Sequence, residues 1–197
     1  MKTICVFGAS ITYGAWDREL GGWVNRLRLY FDNSDEEFIV SNRAVDGDTT
    51  RGLLKYFETD CKAVEPDIII FDMGTNDSMR IKNNLNVPIE EFQSNLKKLI
   101  EKAKKFSNKI IFIGITKVDE SKTMPVPWGD GLFYDNEIAL RYDSIIKKIC
   151  KENNILFIEM FDLLNEKDLE DGIHPTSKGH EKMFQRVKDS LIKNRII

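Results

Sequence analysis

Five short runs of apolar and β-branched residues recur along the chain, each followed by a longer amphipathic stretch. The runs are Thr3–Phe7, Glu37–Ser41, Asp67–Asp72, Lys109–Ile115 and Ile155–Glu159. Two of them, within DIIIFDMG and KIIFIGIT, are continuously apolar rather than alternating. That pattern belongs to strands covered on both faces, as in a parallel sheet. The stretches between them carry helical spacing: Gly22–Phe31, Thr49–Val64, Pro88–Phe106, Asn136–Asn153 and Thr176–Asn194. In PIEEFQSNLKKLIEKAKKF, Pro88 suits a first helical turn, and Ile89, Phe92, Leu96, Leu99, Ile100 and Ala103 fall on one face. Strand alternating with helix five times predicts an α/β fold, a five-stranded parallel sheet with helices on both sides. One segment, Thr116–Asp135, shows no period. A loop of that length in a compact domain is often functional.

Composition narrows this picture without redirecting it. A chain of 197 residues, 42% apolar and 31% charged, is expected to form one globular domain over residues 1–197. A net charge of −3 shows no basic excess that would point to nucleic acid. No apolar run approaches the ~20 residues of a membrane span. The N-terminus enters an apparent strand at once, whereas a secretory signal is expected to carry a longer apolar segment and a small-residue cleavage site. Cys5, Cys61 and Cys150 are far apart and form no CxxC pair, as expected of buried, reduced thiols. The expected location is therefore cytoplasmic. Nothing in the sequence fixes the oligomeric state, and a homo-oligomer is compatible with it.

In an open parallel sheet, ligands gather at the carboxyl ends of the strands. Four of those ends lead into polar clusters: GASIT (Gly8–Thr12), NRAVDGDTT (Asn42–Thr50), GTND (Gly74–Asp77) and DGIHP (Asp171–Pro175). The first places Ser10 where the strand breaks. A serine hydroxyl is a poor nucleophile until a base takes its proton, and the chain has only two histidines. Asp171 precedes His174 by three residues. In a tight turn its carboxylate reaches the imidazole Nδ1–H and leaves Nε2 for Ser10. His180, inside the last helix, lacks such a partner and reads as structural. Acyl transfer also needs donors aimed at an oxyanion. The Ser10 backbone N–H, the backbone at Gly47 and the side-chain amide of Asn76 are candidates, although Asp-Gly and Asn-Asp are also ordinary turn pairs.

These four blocks, in this order and at this spacing, resemble the signature blocks of the SGNH (GDSL-type) hydrolases across residues 6–175. The resemblance implies a flavodoxin-like three-layer α/β/α sandwich that hydrolyses small esters, thioesters or acetyl groups without metal or other cofactor. It implies Ser10 as nucleophile, His174 as base, Asp171 as its orienting partner, and Ser10, Gly47 and Asn76 as the oxyanion hole. One departure is visible: Ala9 stands where the family usually has Asp, which bears on the hydrogen bonding of the turn rather than on the nucleophile.

The expected partner is a small-molecule acyl ester. Thioesters, lysophospholipids and acetylated sugars are alternatives within the family. Met124, Val126, Trp128, Leu132 and Phe133 make the Thr116–Asp135 segment densely apolar. If Trp128 and Phe133 wall an acyl pocket, they favour acyl groups from acetyl to butyryl. Packing of the same residues onto the core is the competing expectation. Two other classes compete with the esterase reading. DGDTT, with Asp46 and Asp48, matches the DxDxT pattern of Mg-dependent phosphatases, but Asn42-Arg43-Ala44 separates it from its strand. A flavodoxin-like binding module without catalysis is the other. Neither GxGxxG nor GxxxxGK[ST] occurs.

Overall fold

The computed structural model describes residues 1–35 and 37–197. Its centre is a sheet of five parallel strands: β1 (Lys2–Gly8), β2 (Phe38–Asn42), β3 (Ile68–Asp72), β4 (Lys109–Ile113) and β5 (Leu156–Ile158). They lie in the order β2-β1-β3-β4-β5. This is the flavodoxin-like order expected from the family resemblance. Five helices connect or follow the strands: α1 (Gly22–Asp32), α2 (Thr50–Val64), α3 (Ile89–Ala103), α4 (Asn136–Glu152) and α5 (Ser177–Lys193).

Strand alternation divides the core into two layers. Ile4 and Val6 of β1, Ile68 and Ile70 of β3, and Ile111 and Ile113 of β4 face α1 and α5. Cys5, Phe7, Ile69, Phe71, Ile110 and Phe112 face α2, α3 and α4. Both faces of β3 are fully buried, which is why its sequence is continuously apolar. The registers level the strand ends: Gly8 pairs with Asp72 and Val6 with Asn42. The loops that follow β1, β2 and β3 therefore leave the sheet side by side. Among the described residues, no helix is long and apolar enough to cross a membrane.

Element boundaries differ from the sequence-based expectation for local reasons. The run at β4 continues to Ile115, but the strand stops at Ile113, because the Asp143 carboxylate takes the Ile115 N–H at 2.8 Å. Thr49 and Thr176 stand just outside α2 and α5 as caps, accepting from Gly52 N–H (3.4 Å) and Gly179 N–H (3.2 Å). The Thr116–Asp135 segment is less irregular than its sequence suggests. Asp119 caps a helical turn at Glu120–Thr123, and Leu132–Phe133 pairs antiparallel with Arg80–Ile81, which pairs in turn with Asn84–Leu85.

Between α1 and α5 lies a buried ion pair. The Arg26 guanidinium contacts Asp17, and its other nitrogens reach Glu181 (3.0 Å) and the Ser177 hydroxyl (2.8 Å). Burial alone would raise the pKa of Asp17. The Arg26 side chain and the N–H groups of Gly22 and Leu20 reverse that and hold it well below the usual carboxylate range. Arg26→Met leaves Asp17 buried without its cation. A loss of about 3–5 kcal/mol is expected, read as a lower urea midpoint at unchanged slope. A loss under about 1 kcal/mol would mean that the backbone donors alone keep Asp17 charged.

Candidate active site

The β1 strand ends in a turn that only glycine permits. A β-carbon on Gly8 would lie 1.9 Å from Thr12 Oγ1. Without one, the chain folds back at once into a single helical turn, Ser10–Tyr13, closed by Gly14 at φ +96°. Thr12 is fully buried and donates to Asp72 Oδ2 at 2.7 Å, which ties the turn to the end of β3. Trp23 Nε1 donates to the same oxygen at 3.3 Å. Asp72 has no cation partner among the described residues, and burial pushes its carboxyl up to about 6 against these two hydrogen bonds. Ser10 is presented at the lip of the sheet with its hydroxyl directed at His174.

The Asp171–His174 turn is built from backbone donors. Asp171 Oδ1 accepts the N–H groups of Ile173 (3.0 Å) and His174 (2.9 Å), leaving Oδ2 for the imidazole Nδ1 at 2.7 Å. Gly172 sits at φ +99°, and its carbonyl accepts from Asp119 N–H at 2.8 Å. Burial would raise the Asp171 carboxyl. The hydrogen bonds from the His174 ring and from the His174 and Ile173 N–H groups outweigh this and bring it down to about 2. An ionised carboxylate at this distance requires the proton on Nδ1. In the neutral ring this leaves Nε2 bare, 2.7 Å from Ser10 Oγ and placed to accept its hydrogen. Residues 164 positions apart thus meet in one hydrogen bond.

His180 is held differently. It is fully buried, its Nδ1 accepts the Trp23 N–H, and its Nε2 reaches the Ala15 carbonyl, both at 3.3 Å. Burial lowers its pKa to about 4 and keeps it neutral. It braces the loop after Ser10 against α5.

Asn76 lies in the helical turn Thr75–Ser78 after β3. Its amide is oriented from both ends. Tyr134 OH donates to Oδ1 at 2.9 Å, and Nδ2 donates to the Asp48 carbonyl at 2.9 Å. The second Nδ2 hydrogen remains for a ligand. Asp77, fully buried, accepts the N–H and hydroxyl of Thr50 (3.0 and 2.5 Å), joining this turn to the start of α2. A small depression of about 10 Å³, lined by Ser10, Asp48, Asp72, Gly74 and Asn76 among others, lies between the two turns. Gly47 stands one residue before Asp48 at φ +71°, and a β-carbon there would meet nothing within 4 Å. Its glycine serves the backbone conformation rather than close packing.

The structure brings Ser10, Asp171 and His174 into one hydrogen-bonded chain and sets Asn76 beside Ser10. It does not bring Trp128 or Phe133 to the depression. Trp128 is 52% exposed, and Phe133 lies in the small antiparallel sheet under the Arg80 guanidinium, 5.0 Å from its ring centre. Val126 of the same segment is buried in the core. Asp48 presents its carbonyl to Asn76, while its carboxylate is held by Tyr56 OH (2.5 Å) and Thr49 N–H (2.8 Å). Asp46 and Asp48 belong to no group of three metal-ligating side chains among the described residues. The sequence reading missed Tyr134 and Asp72. GTND begins two residues after Asp72, but no local pattern marks Tyr134, which reaches Asn76 across 58 residues.

Comparison with known proteins agrees with this architecture. The psychrotrophic esterase EstA of Pseudoalteromonas sp. superposes with a TM-score of 0.78 at 20% identity, covering 100% of both chains. The acetylxylan esterase Axe2 of Geobacillus stearothermophilus superposes with a TM-score of 0.77 at 22% identity, covering 96% of this chain and 94% of that one. These likenesses establish the fold. In sequence, the chain is 28% identical over 202 residues to a GDSL esterase/lipase of Arabidopsis thaliana, covering 93% of this chain and 62% of that protein's length. It is 22% identical to the esterase TesA of Pseudomonas aeruginosa, covering 96% and 88%. Residues 6–182 match the model of the GDSL-like lipase/acylhydrolase family, and the chain belongs to that family of hydrolases.

Proposed function

We propose that this protein is a serine esterase of small acyl or acetyl esters. The observation that carries the reading is the chain Asp171 Oδ2–His174 Nδ1 and His174 Nε2–Ser10 Oγ, each contact 2.7 Å. Ser10 Oγ attacks the ester carbonyl as its proton passes to Nε2. The Oγ–C bond forms, and the carbonyl electron pair moves onto oxygen. The Ser10 N–H, the Gly47 N–H and Asn76 Nδ2 receive that oxyanion. Collapse breaks the bond to the leaving oxygen, which takes the proton from Nε2. Water, activated by the same imidazole, then releases the acid and restores Ser10. Asp171 holds the ring in the required tautomer and stays charged as the imidazolium forms.

The depression beside Ser10, about 10 Å³, has no room for a long acyl chain, which favours short acyl groups. Relatives named as an acetylxylan esterase and as the esterase TesA support oxygen esters over thioesters as first substrates. No feature favours a phosphatase, since the Asp48 carboxylate is already engaged by its own helix.

Ser10→Ala should lower p-nitrophenyl acetate turnover by roughly 10³-fold or more at unchanged stability, and a fluorophosphonate should label Ser10 alone. Full activity in the variant, or labelling elsewhere, would overturn the reading. Asn76→Ala should lower kcat by about 10²–10³ with little change in KM. Tyr134→Phe frees the amide to rotate and should cost about 1 kcal/mol, roughly fivefold in kcat. A pure KM effect in either would make Asn76 a ground-state binding group.

The hydrogen bonds from His174 and Ile173 outweigh burial and bring the Asp171 carboxyl down to about 2, below an ordinary ~3.9. A depressed carboxyl contributes stability that is complete above the unfolded value and fades as pH falls through the folded one. Carboxyl-carbon NMR should place the Asp171 midpoint near about 2, and His174→Ala should move it upward. A midpoint unmoved by His174→Ala would mean that the backbone donors alone set it.

A further inference from the structure

Both histidines of the chain lie on one short segment, and both reach the turn that carries Ser10. His174 meets the Ser10 side chain. His180, fully buried on α5, meets the backbone beyond it. Its Nδ1 accepts the Trp23 N–H at 3.3 Å, so that nitrogen is bare and the ring proton is on Nε2. Nε2 therefore donates to the Ala15 carbonyl, also at 3.3 Å. The N–H of the same Ala15 donates to the Ser10 carbonyl at 3.0 Å. One residue is thus bonded to the nucleophile through its N–H and to His180 through its carbonyl.

The turn of the base and the start of α5 form one piece. Glu170 N–H donates to the His174 carbonyl at 2.9 Å, Thr176 N–H to the Asp168 carbonyl at 2.7 Å, and His180 N–H to the Thr176 carbonyl at 2.9 Å. A β-carbon on Gly179 would lie 2.5 Å from the Asp168 carbonyl oxygen, so glycine lets α5 begin this close to the turn. Resting on the esterase reading given above, we propose that His180 is a positioning residue for that reaction. It ties the loop of the nucleophile to the helix that follows the base, and so fixes the separation of Ser10 Oγ from His174 Nε2.

The loop needs such a tie. Trp16 is held at φ +66°, a conformation that a bulky residue seldom adopts and that persists only where its surroundings over-determine it. The Ala15 carbonyl lies in the peptide plane just before Trp16, so the bond from Nε2 fixes the plane about which that φ turns. Burial lowers the pKa of His180 to about 4, with Arg26 and His174 acting in the same direction and the Ala15 carbonyl and Asp17 opposing. At neutral pH the ring is uncharged, and Nδ1 stays free to accept from Trp23.

The test compares His180→Gln with His180→Asn. A glutamine amide reaches the place of Nε2 and keeps the donor to Ala15. An asparagine ends at the place of Nδ1 and keeps only the acceptor for Trp23. Both side chains are neutral, and each retains one of the two bonds. His180→Gln should keep kcat for p-nitrophenyl acetate within about threefold of the wild-type value. His180→Asn should lower it by about 10–10²-fold with KM little changed, because a misplacement of ~1 Å at the reacting atoms costs about 10²-fold. Fluorophosphonate labelling of Ser10 should slow by the same factor. Equal kcat in the two variants, a loss carried by KM alone, or loss of the fold in either variant would overturn the positioning role and leave the esterase reading standing. A wild-type protein that hydrolyses no ester would overturn both.

Discussion

One imidazole ring closes this structure. His174 accepts from a hydroxyl near the first residue of the domain and donates to a carboxylate near its last turns, and both contacts are 2.7 Å. The parallel registers put the ends of β1 and β3 level, and β2 brings Asp48 alongside. The loops after β1, β2 and β3 stay close to their strands, and the longer segment after β5 brings both Asp171 and His174 back to the same rim. Strands running in opposite directions would divide these groups between two edges. The chemistry proposed for the site therefore depends on strand direction as much as on the identity of Ser10 or His174.

Most of the framework was legible because it rests on local patterns. Two-sided burial writes a continuous apolar run, as in Ile68–Phe71, and amphipathic helices write a 3.6-residue period. The Asp171–His174 spacing could be read as a turn because the carboxylate acts over three residues. What could not be read depends on distant partners. The strand pairs at Arg80–Ile81 and Leu132–Phe133 are two residues long and carry no period. Tyr134 is one aromatic among many until its hydroxyl is seen on Asn76. The apolar residues of the 116–135 segment suggested a pocket wall. In the fold they divide, Val126 into the core and Trp128 toward solvent, because an unpatterned stretch does not show which of its side chains turn inward.

Two acids stand beneath the site, half-buried Asp72 and fully buried Asp77, and neither has a cation partner among the described residues. Asp72 and Asp77 are met by hydroxyl, indole and amide donors, and burial raises each to about 6. Removing a carboxylate from water costs several kcal/mol unless hydrogen bonds replace the lost hydration. The donors in turn are fixed by the acids. Thr12 is locked to the end of β3 and Thr50 to the turn that carries Asn76, so the loops bearing the reactive groups are braced from beneath. Ala9 contributes no side-chain hydrogen bond to this arrangement. Asp72, on the adjoining strand, supplies the carboxylate that anchors the serine turn.

The three cysteines carry a different consequence. Cys5, Cys61 and Cys150 are all buried, and burial pushes each thiol up to about 12. At neutral pH they are not thiolates, and the thiolate is the form that alkylating agents attack. Cys5 lies in β1, the strand that carries the reactive serine turn, and all three pack in the layer beneath α2, α3 and α4. A thiol reagent reaches them only when that layer parts from the sheet. The rate at which iodoacetamide consumes them is thus a clock for the opening of the molecule, built into the chain without any added label.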